Sequence, residues 1–218
     1  MSGQSTKYQN ARSPVDATGL TLLFTITPLA LYFDLIIFRN NVGELSVTEI
    51  IQELFIFDCA VMFLLLARKK ASSRGFYLLV AGFFTCLLIR ELDQLFDLVW
   101  HGFWVIPALL VAFSTTSYAL LRHTQTVWQP MKNFIQSQQF CPLIVGLSVV
   151  MVISRVLGSG HLIWIPLLGH STGFLVKTVI QEGLELVGYT IIVRSCYCHY
   201  QSINAQSVYC PPVSQSTE

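Results

Sequence analysis

Six apolar runs divide this chain of 218 residues, at 19–38, 50–67, 75 to about 99, 102–121, 140–157 and 174–193. Each is close to the roughly 20 residues that a helix needs to cross a hydrocarbon core. None alternates apolar and polar residues as the strands of a membrane barrel do. Such runs leave few other folds open. Charged residues make up only 11% of the chain, against about 25% in an average soluble domain, which is too few to cover a water-facing surface. The pattern predicts an all-α, polytopic membrane protein: a bundle of six transmembrane helices, with the lipid bilayer as its surroundings. A net charge of +1 and the absence of a basic stripe exclude a nucleic-acid partner.

The distribution of lysine and arginine sets the expected threading, because these residues are retained in short cytoplasmic loops. Lys7 and Arg12 precede the first run. Arg68, Lys69, Lys70 and Arg74 separate the second and third, Arg122 and Lys132 the fourth and fifth, and Arg194 follows the sixth. The opposite loops hold Arg39 and Arg155. Both termini are therefore expected in the cytoplasm. The first run is too long for a signal peptide and is followed by no cleavage pattern. Residues 1–18 form a cytoplasmic segment on this reading, 19–194 the membrane domain and 195–218 a disordered cytoplasmic tail. The connector 122–138 is polar, whereas 158–173 is apolar, glycine-bracketed and reads as an interfacial or re-entrant piece. Short loops and small size suit a multi-pass protein of a bacterial-type inner membrane.

Given that threading, the ionisable residues gather in the outer half. Asp34 ends the first run, while Glu49, Glu53 and Asp58 descend along the second. Arg90, Glu91, Asp93 and Asp97 end the third, followed by His101. Arg155 ends the fifth; Lys177, Glu182 and Glu185 open the sixth. Arg90, Asp93 and Asp97 are spaced to share one helix face, as are Thr178, Glu182, Glu185 and Tyr189. If the third helix turns over near 100–102, His101 still falls close to Asp97. Glu182 and Glu185 lie roughly 12 to 17 Å along their helix, near the middle of a hydrocarbon core about 30 Å thick. Intramembrane charges at such depth pair with one another and mark a site. Buried anions outnumber cations, so some carboxylates are expected to carry a proton or hold a cation.

Other signals have plainer readings. "SVTE" at 46–49 is a capping box opening the second helix, and Trp100, Trp104, Trp128 and Trp164 mark membrane interfaces. Gly173, Gly183 and Gly188 permit close helix packing. None of the six cysteines falls in an outer loop, so no structural disulfide is expected. His101, His161 and His170 raise the question of a metal, but no metal-binding spacing joins them and any cofactor stays unknown. Apolar bundles with histidine, aspartate and serine also characterise the alkaline ceramidase and adiponectin-receptor superfamily. That group has seven helices and a paired H-x-x-x-H, and neither is present here.

The leading functional expectation is an outward-opening polar site for a proton, ion or small polar solute, of transport type. Its reactive groups would be Glu182, Glu185, Arg90, Asp93 and Lys177. Glu53, Asp58, Glu91, Asp97, His101 and Arg155 would line it. The two glutamates act as proton or cation acceptors, and Arg90, Arg155 and Lys177 balance charge or bind an anion. Transport by six spans is expected to need a homo-oligomer. One alternative is a membrane-embedded hydrolase or transferase on a lipid or lipid-linked substrate, with Glu182 as general base and a histidine as acid or metal ligand. The other is a non-catalytic membrane subunit whose ion pairs only hold helices together.

Overall fold

The computed structural model describes residues 14–38, 46–122 and 124–208, which are helical almost throughout, with no strand among them. Lys7, Arg12, Arg39, Cys210 and the last part of the expected tail lie outside the described residues. Helix α1 (Pro14–Tyr32) continues into a π-helical turn at Phe33–Phe38. There follow α2 (Val47–Lys69), α3 (Arg74–Glu91) and the short α4 (Asp93–Asp97). Next come α5 (Val105–Arg122), α6 (Trp128–Ile135) and α7 (Phe140–Ser148). A π-helical stretch joins α7 to α8 (Ser154–Leu157), and another leads to α9 (Ile165–Leu168). The last helix, α10, runs unbroken from His170 to Val208.

Among the described residues, four helical segments are long and apolar enough to cross a membrane: Val47–Lys69, Ala71–Glu91, Val105–Arg122 and Phe140–Leu157. The apolar stretch Phe24–Phe38 is shorter. Helix α10 has the length but not the apolarity, since Lys177, Glu182 and Glu185 fall in its first half.

Packing centres on α2, α3, α7 and α10, with α1 laid along α10 and α2, and α5 against the far side of α3. Of α5 only Ala119 is buried. The core is densest around Phe63, whose ring stacks on Phe84 at 5.9 Å and on His199 at 6.0 Å. Tyr77 and Phe134 close in at 6.1 and 6.4 Å. Glycines bring α7 against α10. A Cβ on Gly188 would come within 2.5 Å of Val150 Cγ2, and one on Gly146 within 2.7 Å of Ile192 Cγ1. Only hydrogens allow the two backbones to approach so closely.

The start of α2 is capped twice. Ser46 Oγ accepts from Glu49 N at 3.2 Å, as the "SVTE" motif predicts. Asp34, fully buried, reaches across from the turn after α1 and accepts from Val47 N (2.8 Å), Thr48 N (3.0 Å) and Thr48 Oγ1 (2.6 Å). A carboxylate here meets the free N–H groups and the positive end of the helix dipole. Asp34 is thus a structural cap.

Three boundaries differ from those the sequence suggests. The third helix stops at Glu91 instead of near 99: Leu92 leaves the helical conformation, and Leu95, Leu98 and Val99 beyond it stay exposed instead of extending the packed face. Residues 195–208 are helical rather than structureless, because Ser195, Cys196 and His199 are buried against neighbouring elements. The polar connector contains α6, which turns Phe134 into the core. Residues 158–173 do form short helical pieces, pinned where Trp164 Nε1 donates to Leu157 O at 2.6 Å.

Candidate functional site

Where α10 passes α2, α3 and α8, it carries Glu182, Glu185 and Tyr189 on one face, the spacing expected of residues three and four apart. Glu185 is the more enclosed of the two glutamates on this face, only 2% exposed. Its Oε1 accepts from Ser154 Oγ at 3.2 Å and Gln181 Nε2 at 3.4 Å, and faces Arg155 Nη2 at 3.3 Å. Glu182, one turn earlier, is held from α2: Gln52 Nε2 donates to its backbone carbonyl (3.0 Å) and to its Oε2 (3.3 Å). From α3, Glu91 Oε1 accepts the Tyr189 hydroxyl at 2.7 Å and pairs with Arg90 Nη1 at 3.2 Å.

These contacts draw six of the expected residues into one region. Glu91 lies within electrostatic reach of Glu53, Glu182 and Glu185, and both arginines lie within reach of Glu185. Glu53, Glu91, Glu182, Glu185, Arg90 and Arg155 therefore share a single charged neighbourhood. The arginine pairing differs from the predicted stripe. The break at Leu92 removes Asp93 and Asp97 from the face of Arg90, which pairs with the adjacent Glu91 instead. It is Glu91, through Tyr189, that ties α3 to α10.

The other expected residues stand apart. Asp93 is half-buried at the start of α4 and bonds to no described residue. Asp58 is exposed halfway along α2, beside an apolar groove between α1 and α2. The Lys177 ammonium lies over the Phe174 ring at 5.7 Å. Asp97 and His101 pair with each other at 2.8 Å in the loop after α4, with the His101 side chain almost wholly exposed. The Gly102 N–H and then His101 hold the Asp97 carboxyl below its usual range. The same N–H, donated at 2.8 Å, closes a turn in which Gly102 adopts φ +84°, a conformation suited to glycine. His161 and His170 are exposed. Among the described residues no group of three or more His, Cys, Asp or Glu side chains is arranged to hold a metal ion.

No protein-family model matches this chain, and neither does any curated protein or solved structure. The site must be read from its own residues.

Three members went unmarked in the sequence: Gln52, Ser154 and Gln181. All are neutral, and each lies in or beside an apolar run where a polar side chain needs a hydrogen-bond partner. Gln52, 2% exposed between isoleucines and leucines, carried the clearest such signal.

Proposed function

We propose that this chain is a six-span membrane protein with both termini in the cytoplasm, α1 and α10 joining the four apolar segments as spans. On this reading it handles a proton, an ion or a small polar solute at a site open to the opposite side of a cell membrane, in a transport-type role. One observation carries it: four carboxylates (Glu53, Glu91, Glu182, Glu185) share a region with two guanidinium groups (Arg90, Arg155). Four minus two leaves two negative charges for something else to offset, because uncompensated charge is costly away from water. Protons or a solute bearing donors suit the arrangement better than a metal, since the carboxylates share no common coordination sphere. Arg155 keeps 44% of its side chain exposed while holding Glu185, which leaves it a route to the surroundings. Glu182 and Glu185 are the acceptors in this reading, and Arg90 and Arg155 the balancing charges.

The cross-braces from Tyr189 to Glu91 and from Arg155 to Glu185 also favour a second reading, a subunit in which the charges only hold helices in register. Infrared spectroscopy separates the two. On the site reading, the reconstituted protein shows a protonated-carboxyl band that Glu182→Gln or Glu185→Gln removes, while both variants still fold and insert. Absence of such a band leaves the subunit reading standing. The threading is checked with single cysteines in a cysteine-free background. Ser159→Cys and Ser171→Cys should react with impermeant thiol reagents from outside the cell, and Ser73→Cys and Gln136→Cys should not.

A further inference from the structure

At the end of the bundle away from the carboxylates, a second cavity of about 580 Å³ opens between the α2–α3 junction, α6 with the turn after it, and the last third of α10. Its size is that of a small-molecule pocket. No aspartate or glutamate lines it. Its wall presents donors that the protein itself leaves unused. Lys70, Tyr77, Gln136 and Gln138 all line the cavity, and their polar side-chain groups bond to no described residue. The neighbouring cations are already engaged: Lys69 Nζ donates to the Tyr200 hydroxyl at 3.1 Å, and Arg74 Nε to Ala67 O at 3.2 Å. Topology accounts for basic residues at this junction, but not for one that stands over a cavity without a partner.

His199 is the second, independent observation. It lines the same cavity, yet is only 6% exposed, and its Nε2 is buried with no hydrogen-bond partner. Buried polar nitrogens are nearly always satisfied. Rings hold this one in place, with Phe63 stacked at 6.0 Å and Phe134 edge-on at 4.8 Å. In its neutral form such an imidazole offers one donor and one acceptor.

We propose that this cavity binds a phosphate-bearing ligand, with Lys70 as its fixed cation and His199 as a buried hydrogen-bonding group. A fixed cation and unused donors on three separate elements call for an anion with several acceptor oxygens, and a phosphate group meets that demand. The same chemistry is found on a lipid headgroup at the membrane surface and on a soluble phosphate ester.

The test uses the full-length protein in detergent and isothermal titration calorimetry. One arm titrates glycerol 3-phosphate, with glycerol at matched ionic strength as its control. The other titrates dioctanoyl phosphatidic acid, with dioctanoylglycerol as its control. Saturable binding in either arm, absent from its control and weakened roughly tenfold or more in Lys70→Gln and His199→Gln, supports the site. Binding in the first arm alone identifies a soluble ester as the source, and in the second alone a lipid headgroup. Lys70 is only partly buried, so Lys70→Gln, with melting unchanged from wild type, decides the matter if His199→Gln does not fold. Saturable binding in neither arm, or Lys70→Gln binding as tightly as wild type, overturns the proposal.

Discussion

Around Glu185 a buried carboxylate is held by directed contacts, a hydroxyl and a guanidinium from α8 and an amide from its own helix. Around His199, 14 residues and about 21 Å further along the same helix, a buried imidazole is held by aromatic faces instead. The first arrangement depends on a few short distances, so each partner's loss leaves an orphaned group. The second depends on buried area, shared among many atoms and indifferent to charge. One helix thus carries a region sensitive to electrostatics and a region sensitive to volume.

Truncating the centre of the ring cluster should have the largest effect. Phe63→Ala is expected to lower stability by about 3–5 kcal/mol, the usual cost of removing a fully buried phenyl ring, with little dependence on salt. Chemical or thermal unfolding at low and high ionic strength measures both. A loss well under about 1 kcal/mol would mean that the rings do not carry this half. In the charged half, Arg155→Ala should cost about 1–3 kcal/mol, less than a fully buried pair, because its guanidinium is partly in contact with the surroundings. Adding Glu185→Gln should recover part of that. Strict additivity in the double-mutant cycle, with coupling below about 0.5 kcal/mol, would remove Arg155 from the site. Tyr189→Phe deletes one hydroxyl while keeping the ring, and should cost about 1 kcal/mol, a loss that falls when Glu91→Gln is already present. The smallest effect belongs to the exposed Asp97–His101 pair. Asp97→Asn should lower melting at pH 7 only slightly, since exposed pairs contribute little. The Asp97 carboxyl is held below its unfolded value, so what it adds is present above that value and fades as pH falls through the lower folded one. Acid titration of wild type against Asp97→Asn shows whether the two curves merge at low pH.

Much of this was readable in advance, for identifiable reasons. The second to fifth apolar runs correspond to the four long apolar helical segments because length and composition alone specify such helices. The Glu182–Glu185–Tyr189 face follows from helical spacing, which the unbroken α10 preserves. The Arg90–Asp93–Asp97 stripe failed because the spacing rule assumes one continuous helix, and Leu92 interrupts it. His199 and the helix around it were hidden because polar residues past an apolar run look like a solvated tail. Only tertiary contacts reveal that Phe63 and Phe134 bury that ring. Gln52 and Ser154 are hidden for a simpler reason: neutral polar residues carry no charge to set them apart within an apolar run.

The composition of α10 bears on how such a protein is made. Its 39 residues would reach about 58 Å, but its first half is too polar to partition into lipid as readily as the four apolar segments. Gln52, Glu91, Ser154 and Arg155, which receive its polar face, all precede it in the chain. A ribosome releases them first. By the time Glu182 and Glu185 emerge, the side chains that satisfy them have been synthesised, so on the proposed six-span reading the last helix enters by docking onto them. Translation order and bond order coincide here. A circular permutation that placed 170–208 first would separate them and should impair biogenesis far more than the folded state.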